Sequence, residues 1–583
     1  MSMFGFVKTR QFKRNKFRLG YQNKMTIRPG YLYPFYLEHC YPNDTFHIRN
    51  NILFRLAPMQ APIMQDIDVY TRYFFVPYRL LWSQWKRFFT QGQDGKMDIP
   101  YPTFTNVPVS VLRSGSLADY LRFPDPLLNG YDHASNVTTD IDQLPFRAYQ
   151  LIWNEYFRDE NLEEPIAIGK SMDGEIDYGS EFYDETDDAG SIQGPVEDLF
   201  NLRKVSWRKD RFTSALPFAQ RGDEVELPLM GNPSIYSKDS SNTYLEFNGP
   251  GLSHVMDISG GPASNGHLGS HAYTNDPGRL TVQDVNDPTK GGIVFLGNNT
   301  HSNNASVDGV SVSTHSSFIA DSLGVDMSSV SSATINELRR AFAAQEFLEA
   351  RARGGSRYIE QLLSIFNQRS SDARLQRPEY LGGGKSPIVI SDVLQTSQST
   401  DSSAQGTPSG HGVGVQRTGG IHYHCEEHGY IIGLMYIMPK SSYFQGMPKQ
   451  YMFRDALEFY NPYFAHLGEQ EIGQGELFYD YSTDSHGKTN QKLFGYTPRY
   501  AEMKTRDDEV HGDFRTSLRF WHMGRFFEQP PALNADFLHN FDSVNRVFNV
   551  DAEKADVDNF WVQCQNDVIA IRLMPKYGTP RLL

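Results

Sequence analysis

Apolar and polar positions alternate most cleanly over Asp66–Val76. There Ile67, Val69, Thr71, Tyr73 and Phe75 are separated by Asp68, Tyr70, Arg72 and Phe74. A period of two predicts a strand, and Pro77 ends it. Ile421–Met438 and Phe560–Leu573 carry further strand runs, and Tyr430–Met438 is apolar throughout. Helical spacing appears elsewhere. Tyr78–Thr90 puts Leu81, Trp85 and Phe88 on one face. Leu144–Leu162 opens with Pro145 in its first turn, as a helix start prefers. Its Tyr149, Ile152, Trp153, Tyr156 and Phe157 form a core-packing stripe. Ser332–Phe366 is the strongest helical segment, with Thr334 and Glu337 at capping-box spacing. Ile335, Leu338, Phe342, Gln345 and Leu348 trace one face, Gly354-Gly355 interrupts it, and Tyr358–Phe366 resumes it.

The punctuation between these elements is dense: 48 Gly and 32 Pro in 583 residues favour a loop-rich β architecture over a helical bundle. Residues 231–330 change character, with 40 Gly, Ser or Asn and only 12 charged residues. A structureless loop of that length is implausible inside a compact domain. The segment is therefore expected to form a projecting insertion of short strands, such as Gly292–Leu296, and turns. Ser397–Gly420 reads as another Ser/Gly/Thr-rich loop. Asp173–Asp198, with 10 acids and no Lys or Arg, reads as a solvated acidic loop lacking the ordered spacing of a calcium loop. No fixed-period repeat is present.

Charge is distributed unevenly. The net charge is −14, yet residues 1–28 hold 8 Lys or Arg and no acid. Such an arm is either a solvated terminus or a phosphate-binding one. The candidate phosphate ligands are Lys8, Arg10, Lys13, Arg14, Lys16 and Arg18. Phe4, Phe6, Phe12, Phe17 and Tyr21 interleave with them, which would allow base stacking.

Several classes are excluded. The longest charge-free apolar run has nine residues against the ~20 a membrane span needs, so membrane insertion is not expected. The basic N-terminus lacks an apolar signal core. Three widely spaced cysteines, Cys40, Cys425 and Cys564, give no disulfide framework. Gly382–Ser386 (GGGKS) lacks the earlier glycine of a phosphate loop, since Glu379 occupies that position. His422, His424 and His428 could share a strand face, but their spacing completes no recognisable metal site. With no GxSxG and no HExxH, neither a catalytic couple nor a cofactor is indicated, and the chain reads as a non-enzyme.

Longer stretches carry a resemblance. They include PFYLEHCYPNDTFHIRNN, DVYTRYFFVPYRLLWSQWKRFF, LPFRAYQLIWNEYFRDENL, DRFTSALPFAQRGDEVELPL, INELRRAFAAQEFLEARARGGSRYIE, RLQRPEYLGGGKSPIVISDVLQTS, HCEEHGYIIGLMYI and FGYTPRYAEMKTR. In this order they resemble the major capsid proteins of the Microviridae, most closely the gokushovirus branch of these single-stranded DNA phages. The resemblance spans about residues 25–573 outside 231–330 and 397–420.

The resemblance implies a mainly β fold, an eight-stranded antiparallel jelly roll with long helical and loop insertions. It divides the chain into a basic arm (1–28), a first core part (29–230), a surface insertion forming three-fold protrusions (231–330) and a second core part (331–583). It implies sixty copies in a T=1 shell built from pentamers around circular single-stranded DNA, assembled in the bacterial cytoplasm and residing in the virion. Partners would be other copies, the genome, an internal basic DNA-binding viral protein, a pilot protein and a host surface receptor, with glycans among its candidates. The aromatic runs Tyr31–Tyr36 and Trp82–Phe89 are candidates for subunit contacts or for core. The alternative from a different class is a β-sandwich glycan-binding or glycan-cleaving protein.

Overall fold

The computed structural model describes residues 13–225 and 335–577, except 93–94, 131–135, 139, 186–190, 224, 356, 395–407, 482–487 and 550–557. Between 226 and 334 it describes only the backbone of short strands. The chain divides into two compact units, 1–222 with 348–583, and 223–347. Within 223–347 the strands pair antiparallel: Tyr244–Gly249 with Leu252–Asp257, Arg279–Gln283 with Gly291–Phe295, and Ser234–Ser237 with Leu323–Asp326. Ala305–Val307 pairs with Val310–Val312 in the same way, and the remaining residues of 231–330 lie outside the described ones.

In the larger unit, two antiparallel sheets form the centre. Their strands are β1 (Asn15–Arg18), β2 (Tyr21–Ile27), β3 (Tyr33–Cys40), β4 (Thr45–Leu56), β5 (Ile67–Pro77), β6 (Glu379–Pro387), β7 (Val389–Leu394), β8 (Pro408–His424), β9 (Gly429–Pro439) and β10 (Phe560–Arg572). One sheet runs β1/β2–β10–β4–β8–β7 and the other β6–β5–β9–β3. β1 and β2 lie end to end in one register along β10, with Asn15 opposite Arg572 and Tyr21 opposite Asn566. The path β2, β3, β4, β5, β6, β8, β9, β10 crosses between the sheets at every step except β5 to β6, which are neighbours in one sheet, and this is jelly-roll order. β7 adds an edge strand, so the two sheets hold more than the eight strands expected.

The two sheets are buried differently, and the sequence pattern follows. In β4 and β10 every second residue is buried: Phe46, Ile48, Ile52 and Phe54 on one, Phe560, Val562, Cys564 and Val568 on the other. These face Phe35, Tyr73 and Phe75 of the opposing sheet within one core. Polar groups bridge the sheets inside it. Tyr73 donates its hydroxyl to Asn50 Oδ1, and Asn50 Nδ2 donates to Asn566 Oδ1. Gln416 Nε2 donates to Thr71 Oγ1 at 3.0 Å. The second sheet is covered outside as well, by helix α1 (Leu144–Tyr156) and its continuation. Phe74 meets Tyr156 at 4.7 Å between ring centroids, and Tyr436 meets Phe157 at 5.8 Å. That second cover explains the unbroken apolar run of β9, since a strand buried on both faces needs no polar positions. On its inner face Gly433 leaves room for three rings: a Cβ there would sit 2.9 Å from Tyr36 and Tyr73 atoms and 3.1 Å from Phe35.

Three expectations need correction, and one open alternative is resolved. Ser397–Gly420 is not all loop, because residues from Pro408 onward form β8. Its alternation is real but has glycine in the inward slots. A Cβ at Gly410 would meet Ala61 O at 2.7 Å, and one at Gly412 would meet Leu56 at 2.8 Å. Tyr78–Thr90 is two short helices, Tyr78–Leu81 and Trp85–Thr90, because Trp82 leaves the helix, is buried and donates its indole N–H to Asp173. The acidic segment is not uniformly solvated. Asp184 is buried and accepts backbone N–H bonds from Ile168, Gly169 and Lys170 at 2.5, 2.9 and 2.8 Å. Of the aromatic runs, Tyr33, Phe35, Tyr36 and Trp82 are core, whereas Phe89 is 60% exposed.

Candidate nucleic-acid interface

Strand parity builds the main surface. Because β4 and β10 bury their even-numbered residues, their odd-numbered ones point away from the core. The outward row on β1/β2 is Lys16, Arg18, Gln22, Lys24 and Thr26. On β4 it is His47, Arg49, Asn51, Leu53 and Arg55, and on β8 it includes Val415, Arg417, His422 and His424. Cross-strand register assembles these into one field. His47 lies opposite both His422 and Ile569, and Ile569 opposite Arg18. Asn51 lies opposite Arg417, and Arg55 opposite Trp561.

The cations outnumber the acids here. Among the described residues, Lys16, Arg18, Lys24, Arg49, Arg55 and Arg417 are exposed and make no ion pair. Asp567 is the acid on the outward row of β10. The positive field registers on a neighbour: His47 is held below the ordinary histidine value of 6.5, by desolvation first and then by the nearby His422, Lys16 and Arg49. Uncompensated cations spread over a flat polar sheet are suited to phosphate, which they would meet without reading sequence.

Of the six arm residues singled out from sequence, Lys8 and Arg10 lie outside the described residues. Lys13 is exposed. Arg14 donates to Asn43 O at 2.8 Å and to Thr45 Oγ1 at 2.6 Å. Lys16 and Arg18 join the field as part of β1. Sequence reading missed Arg49, Arg55 and Arg417. The first two were accessible from the alternation HIRNNILFRL, whereas Arg417 sat in a stretch read as loop. The three candidate histidines do not converge. His422 packs on His47 with ring centroids 4.5 Å apart, and His424 Nδ1 lies 3.0 Å from Thr45 Oγ1. His428 instead stands against Phe89 and Trp85. Among the described residues, no group of three His, Cys, Asp or Glu is placed to hold a metal ion, and no helix is long and apolar enough to cross a membrane.

A second surface is apolar. Between residues 451 and 467, Tyr451, Leu457, Phe459, Tyr460, Tyr463 and Leu467 are all exposed, Tyr463 by 91%. Exposed apolar side chains of this size are what a protein contact would cover.

A jelly roll with one basic face and an apolar flank suits a shell-forming subunit, and comparison with known proteins decides the matter. A family model described as Capsid protein (F protein) matches residues 5–582. The chain belongs to this capsid protein family. It is 31% identical to Capsid protein VP1 of Chlamydia phage 1, over 99% of this chain and 97% of that one. It is 32% identical to Capsid protein VP1 of Bdellovibrio phage phiMH2K, over 97% and 95% of the two chains. For Capsid protein VP1 of Spiroplasma virus 4 the identity is 27%, over 99% and 97%. The resemblance to Microviridae major capsid proteins is thus borne out. The capsid protein is a structural component of the virion, and the glycan-binding alternative is not favoured.

Proposed function

We propose that this capsid protein assembles as sixty copies into a T=1 icosahedral shell around circular single-stranded DNA, with the basic sheet face and the arm, Lys8, Arg10, Lys13, Arg14, Lys16 and Arg18 included, turned toward the genome. The observation that carries the reading is the row of sheet-face cations that make no ion pair among the described residues, on an otherwise acidic chain. Concentrating positive charge on one face lets the remaining surface stay net acidic, so that nucleic acid is held on one side only. The exposed apolar residues of 451–467 would be covered by a neighbouring copy, since closed shells are built from repeated heterologous contacts. The arm (1–28), the first core part (29–230), the insertion (231–330) as a host-facing protrusion, and the second core part (331–583) complete the organisation. An internal basic viral protein, a pilot protein and a host receptor remain the proposed partners, and assembly is proposed to occur in the bacterial cytoplasm.

Light scattering coupled to size-exclusion chromatography, with absorbance at 260 and 280 nm, tests this on virus-derived material. The expected result is a megadalton particle rich in nucleic acid. A small DNA-free oligomer that persists in mild conditions would overturn it. Deleting residues 1–28 is expected to lower packaged DNA. Unchanged DNA content would remove the arm from the proposal.

A further inference from the structure

Three tryptophans elsewhere in the chain are committed. Trp82, Trp153 and Trp207 are buried, and each donates its indole N–H, to Asp173, Lys204 O and Asn540 O respectively. Trp561 differs. It is 47% exposed, in the outward row of β10. Among the described residues no ring, cation or hydrogen-bond partner meets it. Its cross-strand neighbours are Arg55 on one side and Thr26 on the other.

The indole lines a cleft of about 950 Å³. Lys24 and Arg55 share the cleft floor with it, and the segment 114–122 supplies a wall through Asp119, Tyr120 and Arg122. The wall is fixed to the edge strand, since Tyr120 donates its hydroxyl to Thr26 O at 2.6 Å and Arg122 donates to the Tyr21 hydroxyl. The acids of the cleft are already engaged. Asp119 accepts the Gly115 N–H at 2.9 Å, and Asp558 accepts from Thr26 at 2.6 Å and pairs with Arg28 at 3.2 Å. With Asp558 paired to Arg28, Asp119 alone stands against Lys24, Arg55 and Arg122, and the cleft is net positive, which repels a polybasic peptide and attracts a polyanion.

We propose that this cleft is a nucleobase-binding site for single-stranded DNA, in which an unstacked base lies on the Trp561 indole while Lys24 and Arg55 take the flanking phosphates. A π-face beside two cations, on a sheet that tracks a backbone, is the arrangement that holds single strands without sequence preference. The proposal rests on the reading of the basic sheet face as the side turned toward the genome, and it adds a discrete contact to a diffuse field.

Fluorescence anisotropy on the purified full-length protein tests it, with a labelled twenty-nucleotide oligothymidine and an abasic strand of equal length. The wild type is expected to bind oligothymidine on the order of tenfold more tightly than the abasic strand, since stacking alone separates them. Trp561→Ala should erase that ratio without changing the salt dependence, whereas Trp561→Phe should keep most of it. Equal binding of the two strands by the wild type would overturn the stacking site while leaving the charged face intact, and this comparison needs no variant to fold. Binding of neither strand would overturn the genome-facing reading itself. A Trp561→Ala protein that loses assembly but keeps the oligothymidine preference would place the indole in a subunit contact and refute the proposal.

Discussion

Removing charge from the middle of the basic face, through Arg49→Gln, Arg55→Gln and Arg417→Gln together, gives the sharpest test of how that face works. All three guanidiniums are exposed on adjacent strands, and none has an ionic partner among the described residues. Their replacement leaves no buried carboxylate unpaired, and the cost to folding should stay within about 0.5 kcal/mol per site. The effect on DNA should be large. Each cation that displaces a counterion from a single strand contributes about 0.7 to the slope of log affinity against log salt. Three lost contacts should flatten that slope by about 2. Between 50 and 200 mM salt the triple variant should therefore lose roughly twentyfold less affinity than the wild type, starting from weaker binding at low salt. The assay is a salt titration of oligothymidine binding, with circular dichroism to confirm the fold. An unchanged slope in a folded variant would show that phosphate does not sit on this face. A weakened affinity at constant slope would show that the arginines act indirectly.

Other outcomes follow from the same geometry. Tyr463→Asp, at the most exposed aromatic of the apolar segment, should block particle formation while leaving subunit circular dichroism unchanged, and normal particles would exclude this segment from the subunit contacts. Tyr73→Phe removes the donor to buried Asn50 Oδ1 and should lower unfolding stability by about 1–3 kcal/mol in a denaturant titration; no change would mean that the inter-sheet network carries no net stability. His47 has a folded-state pKa below its ordinary value of 6.5. Its contribution to folding is thus intact above pH 6.5 and falls away as pH drops through the folded value, whereas a bound phosphate favours the protonated ring. DNA affinity should accordingly rise as pH falls below about 6.5, and His47→Gln should reduce that rise. Burial pushes the thiol of Cys40 well up and that of Cys564 up to about 12, and all three cysteines are buried. A thiol reagent should therefore label none of them in the native protein and all three after denaturation.

Elements with strict periodicity were legible from sequence: β5 and β10 lie where the alternation puts them, and α1 starts where the aromatic stripe does but ends at Tyr156, short of the Leu162 expected. β8 was not, because its first inward positions, Gly410 and Gly412, are glycines packed against Ala61 and Leu56. A hydrophobic pattern cannot register a residue whose role is to leave space. Trp82 shows the same limit for helices, since its buried bond to Asp173 overrides the local preference to continue. The basic face was half legible. Arg18 and Lys24 belong to the charged N-terminal stretch, but their joining to Arg49, Arg55 and Arg417 depends on pairings between residues hundreds of positions apart. No local window contains that information.

The unequal cover of the two sheets also fixes where the chain is free to change. On β9 nearly every side chain is enclosed, so a substitution there disturbs packing whichever way it points. On β4 and β10 tolerance should alternate residue by residue, with even-numbered positions fixed by the core and odd-numbered ones open. The grip on nucleic acid could then drift, or be engineered, one side chain at a time to suit a longer or shorter genome, with the walls of the container left as they are.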